Sequence, residues 1–203
     1  MMLLEIDHIS KSFGVQHVLD DLTFSVAEGE VVGLLGGNGA GKTTLLRIVT
    51  RLIEPDSGRV LFDGHPVAQC DMRHIGYLPE ERGLYRRAAA GEQAVYMARL
   101  KGLDAKEAEA AVRSWFDRLG ISDWWHRPVG RLSKGMQQKL QFLVTVAHSP
   151  RLLVLDEPFS GFDEANAAML SAEIQRLSAS GTAILLSTHN RDAVSLCHKT
   201  VNL

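Results

Sequence analysis

A glycine-rich segment, GGNGAGKT, occupies residues 36–43 between two stretches of opposite character. The apolar residues 31–35 before it are typical of a strand buried on both faces, and residues 43–52 after it have the spacing of a helix. The segment matches the pattern G-x-x-x-x-G-K-S/T, which is informative only between a strand and a helix. Glycines let the backbone curl so that its N–H groups converge, and the helix start adds about half a positive charge. The segment therefore predicts a phosphate-binding loop in an α/β fold.

Two side chains of this loop carry the expected chemistry. Lys42 is placed to reach the β- and γ-phosphates of a nucleotide, and the Thr43 hydroxyl is placed to ligate Mg²⁺. The alternative is a glycine-rich turn whose lysine is merely solvated, and the flanking strand and helix argue against it. The residues predicted to contact the nucleotide here are Gly36, Asn38, Gly39, Ala40, Gly41, Lys42, Thr43 and Thr44.

A second chemical feature is the apolar segment LLVLDEP at residues 152–158, in which two carboxylates follow a strand pattern. Open α/β sheets bind ligands at the carboxyl ends of their strands, so we expect these acids beside the phosphate loop. Asp156 suits a Mg²⁺ ligand, and Glu157 suits a base that orients or deprotonates an attacking water. Taken alone, two acids after a strand usually mark a solvated loop, but the phosphate loop upstream favours the chemical interpretation.

The rest of the chain alternates strand and helix patterns, which indicates a mainly parallel α/β sheet. Strands are predicted at residues 22–26, 60–62, 74–78, 152–155 and 183–186, and helices at 92–101, 104–119, 136–147 and 167–177. Asp104 and Glu107 predict a capping box at the start of the helix 104–119. We expect a single domain, 1–203, with an N-terminal antiparallel β region. Its predicted parts are a nucleotide-binding core, 1–87 and 150–203, and an inserted α-helical subdomain, 88–149.

Composition and charge exclude several classes of protein. The 203 residues suggest one domain, with room for a modest insertion. The 22 Lys and Arg residues against 24 Asp and Glu give a formal charge of −2, so we expect no nucleic-acid partner. The longest uncharged stretch, 177–190, is too short and too polar for a membrane span, and the amino-terminal segment lacks the features of a secretory signal. The 2 cysteines and 8 histidines show no metal-ligand spacing, which predicts reduced thiols and no structural zinc.

The chain resembles an ATP-binding cassette (ABC) ATPase, because its phosphate loop and acidic strand bracket a segment similar to that family's LSGGQ signature. Three further motifs follow the family's order: an adenine-stacking aromatic, a D-loop and a switch histidine. The signature residues are Leu132, Ser133, Lys134, Gly135, Met136 and Gln137; the aromatic is Phe13; the D-loop is Ser160, Gly161, Phe162 and Asp163; the switch residue is His189, after Ser187 and Thr188. The resemblance implies a P-loop NTPase (RecA-like) core.

The chain departs from the common family pattern at a few positions. Glu80 stands where glutamine is usual, Lys134 and Met136 replace the commonest signature residues, and Gly37 replaces a frequent proline. The segments around Glu80 and the signature are similar to those of the ATPase subunits of ABC-2-type exporters, including sodium and drug efflux systems. The resemblance assigns Glu80 to catalysis and to the metal. A carboxylate is a stronger metal ligand than an amide, but it adds negative charge near the γ-phosphate.

The resemblance also implies a mechanism and partners. Two cassettes, as a homodimer or heterodimer, pair head to tail, so that Ser133 and Gly135 face the γ-phosphate of the ATP bound in the other cassette. ATP and Mg²⁺ are the expected cofactors, and His189 is expected to sense the loss of the γ-phosphate. An integral-membrane permease is the other expected partner, with the chain peripheral on the inner face of the cell membrane.

Several alternatives stay open at the level of sequence. Phe13 could cap the core beneath the first hairpin, and His189 could be a buried, satisfied imidazole. Trp124 and Trp125 belong either to the core of the helical insertion or to an exposed patch. Arg82, Arg86 and Arg87, beside Tyr85, form either a solvated loop or part of a groove that grips a membrane subunit.

Two other functional classes compete with the transporter interpretation. One is a non-transport ABC ATPase that acts in DNA repair or translation, which usually has two cassettes, a long coiled coil or zinc ligands. The other is a plain P-loop kinase or GTPase, which would not need the signature segment. Residues 199–203 have the pattern of an unfinished strand, which we expect in either a naturally short or a truncated chain.

Overall fold

The computed structural model describes residues 1–81, 83–189 and 191–203. The strands are β1 (Met2–Phe13), β2 (Gln16–Ala27), β3 (Val31–Leu35), β4 (Ser57–Phe62), β5 (His65–Pro66), β6 (Ile75–Leu78), β7 (Leu152–Asp156), β8 (Ala183–Ser187) and β9 (Lys199–Asn202). The α-helices are α1 (Lys42–Val49), α2 (Ala90–Leu100), α3 (Ala105–Arg118), α4 (Lys134–Val146), α5 (Glu164–Ala179) and α6 (Arg191–Val194). Short 3₁₀ turns lie at Val67–Gln69, Met72–His74, Ser122–Trp124 and Val129–Arg131. No helix in these ranges is both long enough and apolar enough to cross a membrane.

The strands form two sheets with different directions. A parallel sheet has the order β6-β7-β8-β3-β9, and an antiparallel sheet has the order β2-β1-β4-β5. This arrangement confirms the predicted α/β class, with a mainly parallel core sheet and an N-terminal antiparallel β region. The segment 199–203 contributes the edge strand β9, which pairs with β3.

The centre of the parallel sheet is buried on both faces. Every residue of β7 and β8 is buried, and all but the last residue of each is apolar. Parallel strands covered on both faces have this near-continuous apolar composition. The register places Asp156 opposite Ser187, so that the polar ends of β7 and β8 meet where β3 runs into the glycine loop.

The antiparallel sheet is longer than the sequence pattern indicated. β1 and the first half of β2 lay outside the predicted strands. The pairing of β1 with β2 contains several register shifts, and His8 and Asp21, one on each strand, have φ values of 55° and 49°. Such bulges interrupt the alternation of apolar and polar residues on which strand prediction relies.

Helices α2, α3 and α4 pack around a cluster of buried side chains separate from the clusters that cover the sheet. Trp124 and Trp125 are half-buried against this helical cluster, which supports their interpretation as core residues. The Trp125 ring meets the Phe116 ring edge to face at 5.0 Å. The capping box of α3 is confirmed, since Asp104 and Glu107 each accept the backbone N–H of the other. The domain boundaries at 87/88 and 149/150 stay a prediction.

Candidate functional site

A cavity of about 500 Å³ lies where β3, β7 and β8 end. It brings together most of the predicted phosphate loop, both acids of the β7 end and the predicted aromatic and switch residues. Its lining residues are Phe13, Val18, Gly37, Asn38, Gly39, Ala40, Gly41, Lys42, Thr43, Thr44, Glu80, Asp156, Glu157, Ser160 and His189.

The glycine loop has the backbone conformation that its composition predicts. Gly39 and Gly41 have φ values of 81° and 96°, which residues with a Cβ atom rarely adopt. A Cβ atom on Gly41 would also lie 2.7 Å from the Val18 carbonyl oxygen. Lys42 starts α1 and is 8% exposed, and its Nζ donates to the carbonyls of Gly36 at 2.6 Å and of Gly37 at 3.1 Å. The loop therefore folds around its own lysine, which holds a positive charge at the cavity wall.

Asp156 has one satisfied and one free oxygen. The side chain is 1% exposed, and its Oδ1 accepts from Ser187 Oγ at 2.6 Å. Its Oδ2 is buried without a hydrogen-bond partner among the described residues. A buried carboxylate oxygen without a partner is costly unless another group meets it. Because Asp156 and Thr43 line the same cavity, this free oxygen fits a Mg²⁺ ligand.

The protein groups around this position do not form a complete metal site. Among the described residues, no three His, Cys, Asp or Glu side chains are arranged to hold an ion. Mg²⁺ is usually bound by one or two carboxylates together with waters and substrate phosphates. The donor set therefore fits a metal that arrives with a phosphate-bearing substrate.

Glu157 and His189 form a pair at the cavity. The Glu157 side chain is 13% exposed, and its Oε1 lies 3.0 Å from His189 Nδ1. Glu157 has a φ of 47°, and its backbone N–H donates to Ser187 Oγ at 3.0 Å. His189 is 69% exposed, which excludes the alternative of a buried imidazole.

Glu80 and Phe13 both line the cavity, and they come from different segments of the chain. Glu80 is exposed, and the carbonyls of its neighbours Pro79 and Glu81 accept hydrogen bonds from Gln141 of α4. Phe13 is 52% exposed and belongs to no buried cluster, which argues against the alternative that it caps the core.

The signature segment lies outside the cavity, at the start of α4. Ser133 is the N-cap residue and accepts from Met136 N, and Gln137 donates to the carbonyls of Val129 and Leu132. Ser133 and Lys134 are exposed. None of the residues 132–137 lines the cavity of their own chain.

The D-loop residues have separate positions. Ser160 lines the cavity, whereas Phe162 packs against a buried cluster and Asp163 caps α5 by accepting from Asn166 N. A Cβ atom on Gly135 would lie 3.7 Å from the Gly161 carbonyl oxygen, so the D-loop and the signature segment are neighbours.

Three residues at or near the site had no role assigned from sequence. Val18 lines the cavity, Ser187 bridges the two acids, and Gln141 holds the segment around Glu80. Ser187 stood within a predicted motif, but its partner Asp156 lies 31 positions away, and no local pattern links them.

The predicted arginine-rich segment around Tyr85 is described only in part. Arg82 lies outside the described residues. Tyr85, Arg86 and Arg87 are exposed, which fits both a solvated loop and a contact surface.

Comparison with known proteins gives consistent matches. A protein-family model described as "ABC transporter" matches residues 19–160. The chain is 44% identical over 196 residues to the "uncharacterized ABC transporter ATP-binding protein YhaQ" of Bacillus subtilis, covering 96% of this chain and 66% of that protein. It is 36% identical over 200 residues to the "Nod factor export ATP-binding protein I" of Sinorhizobium fredii, covering 97% of this chain and 58% of that protein. The chain thus spans less than two thirds of the length of both relatives.

A solved structure described as "ATP binding subunit of ABC transporter" has the same fold. It superposes with a TM-score of 0.90 at 32% sequence identity and covers 99% of this chain and 85% of that one.

Proposed function

The chain belongs to the ABC transporter family, and on that premise we propose that it is the ATP-binding and ATP-hydrolysing subunit of an ABC-type exporter. One observation carries the proposal: Lys42 and Asp156 line the same cavity, and one buried carboxylate oxygen of Asp156 has no partner among the described residues. A cation and a free metal-ligating oxygen in one cavity suit the phosphates of a magnesium-bound nucleotide.

Nucleotide binding uses groups that the loop already orients. The Lys42 amine exchanges its carbonyl partners for phosphate oxygens, and the N–H groups at the start of α1 face the same charge. Phe13 lies at the cavity with its ring half exposed, where it stacks on the adenine base. Thr43 and Asp156, with Glu80 as a further oxygen donor, would hold Mg²⁺, which would supply positive charge to neutralise the phosphates.

Hydrolysis requires a base near the γ-phosphate, and Glu157 fits that role. A water attacks the γ-phosphorus in line, and the bond from that phosphorus to the oxygen of the leaving ADP breaks. Glu157 orients this water and accepts its proton, and His189 lies beside it to contact the γ-phosphate. The products are ADP and inorganic phosphate. Catalysis is then mainly a matter of position and charge.

The proposed partners follow from the exposed signature segment and from the relatives. Ser133 and Lys134 are exposed at the start of α4, outside their own cavity, so we propose that they meet the nucleotide of a second cassette. The N–H groups at this helix start suit an anion. A relative named for export supports an exporter. An integral-membrane permease as partner and a position on the inner face of the membrane are part of the same proposal. That relative does not favour a role in DNA repair or translation.

Binding of Mg-ATP to the purified chain tests the proposal directly. We expect calorimetry to detect binding, and Lys42→Ala to weaken it by about ten- to a hundred-fold, because a charge-assisted hydrogen bond contributes roughly 1.5–3 kcal/mol. Lys106→Ala, at an exposed position of α3, is the matched control and should bind as the wild type does. Folded wild-type chain without affinity for Mg-ATP would refute the proposed function.

A further inference from the structure

A buried glutamine of α4, Gln141, is hydrogen-bonded to the backbone on both sides of Glu80. Its side chain is 5% exposed, and its Nε2 donates to the Pro79 carbonyl at 3.0 Å and to the Glu81 carbonyl at 3.2 Å. Both acceptors are carbonyl oxygens, so only the amide nitrogen can face them. Both N–H groups of the Gln141 amide are therefore used to hold the segment that carries Glu80.

Packing alone does not explain a glutamine at this position. Its remaining polar atom, Oε1, is buried and has no partner among the described residues. An apolar side chain of similar size would fill the same space without that unsatisfied acceptor. The two hydrogen bonds to the Glu80 segment are the feature that only a side-chain donor provides.

The Glu80 carboxylate depends on its backbone for its position. Within the described residues, no side chain bonds to this carboxylate, although Glu80 lines the cavity. The Pro79–Glu81 backbone thus sets the region that the exposed Glu80 side chain can reach, and that backbone is attached to α4 through Gln141.

The same helix also contacts the segment that carries the other acid. Gln138, one turn before Gln141 and 2% exposed, donates to the Pro158 carbonyl at 3.4 Å, next to Glu157. α4 therefore lies against both segments that bring carboxylates to the cavity, with Gln141 making the shorter contacts.

We propose that Gln141 is a positioning residue for Glu80, which sets the place of the Glu80 carboxylate in the nucleotide cavity by holding the backbone on both sides of it. The inference rests on the proposed ATPase function and deepens it. Gln141 touches no substrate and acts only through Glu80.

The first test compares two variants of buried glutamines in the same helical unit. Gln141→Met removes the donor at nearly constant volume. Gln93→Met makes the same change at a residue of α2 that is 3% exposed and whose amide atoms have no partner among the described residues. We expect Gln141→Met to lower kcat for ATP hydrolysis about ten-fold with KM within two-fold, since the phosphate loop is untouched. Gln93→Met should retain the wild-type kcat.

A second test asks whether the effect passes through Glu80. In a Glu80→Ala background, Gln141→Met should lower kcat no further, because the group that it positions is gone. Equal losses in both backgrounds, an effect on KM alone, or equal losses from the two glutamine variants would overturn the proposal.

Backbone NMR relaxation gives a readout that does not require activity. Gln141→Met should lower the backbone order parameters of Glu80 and Glu81, and Gln93→Met should leave them at the wild-type values. Unchanged order parameters in Gln141→Met overturn the inference even if ATP is hydrolysed. A wild type that does not bind ATP refutes the proposed function, while the relaxation result still decides whether Gln141 holds this segment.

Discussion

Replacing Ser187 with alanine should destabilise the protein more than the loss of an ordinary buried serine. Ser187 is fully buried at 0% exposure, and its hydroxyl makes two hydrogen bonds. It donates to Asp156 Oδ1 at 2.6 Å and accepts from Glu157 N at 3.0 Å. Since Asp156 Oδ2 has no described partner, the variant would leave this carboxylate without the only bond described for it.

The magnitude follows from the charge on the acceptor. A hydrogen bond to a charged group contributes roughly 1.5–3 kcal/mol, and one between neutral groups contributes about 1 kcal/mol. We therefore expect Ser187→Ala to lower the free energy of unfolding by about 3 kcal/mol. Ser178→Ala is the matched control: Ser178 is 6% exposed, and its hydroxyl donates at 2.6 Å to the neutral carbonyl of Gly29. Its loss should cost about 1 kcal/mol.

Urea unfolding monitored by tryptophan fluorescence measures both variants under identical conditions. The reasoning requires the cost of Ser187→Ala to exceed that of Ser178→Ala by at least about 1 kcal/mol. Equal costs would show that the carboxylate end of β7 is solvated in solution, and the argument for a metal-ligating Asp156 would lose its main support.

Three further predictions concern turnover, pH and packing. Glu157→Gln should retain Mg-ATP binding and lower kcat at least about a hundred-fold, because the amide cannot accept the proton of water; unimpaired phosphate release would remove Glu157 from the role of base. Burial lowers the pKa of His148 from 6.5 to about 4, so the unfolded state binds more protons between these values and stability falls as pH falls. Between pH 7 and pH 5 the wild type should lose about 2 kcal/mol more unfolding free energy than His148→Leu, and parallel curves would contradict the shift. A Cβ atom on Gly91 would overlap the Trp125 ring, so Gly91→Ala should cost about 1–3 kcal/mol by thermal melting. Gly83→Ala, with no atom within 4 Å of the added carbon, is its control and should melt as the wild type does.

Local chemistry made several elements predictable from the sequence. The glycine loop needs positive φ values at Gly39 and Gly41, and the patterns of the adjacent residues predict its flanking strand and helix. The capping box of Asp104 and Glu107 depends on groups three positions apart, and the structure has it as predicted. The acids at the end of β7 could be placed beside the loop because parallel strands end at one edge.

Patterns failed where the backbone is irregular. The register shifts in the β1–β2 pairing break the two-residue period, so β1 and half of β2 gave no clean signal. The adenine-stacking role of Phe13 could be expected only from a resemblance, since nothing next to it in the chain points to the cavity.

The α/β class, the phosphate loop and the capped start of α3 could be predicted from the sequence, because each depends on residues within a few positions of one another. The folded structure was needed to show that Ser187 bridges Asp156 to Glu157 and that Gln141 holds the segment around Glu80. These partners are separated by 31 and about 60 positions. Their meeting depends on strand register and on the packing of α4 against the sheet, which no local spacing of residues encodes.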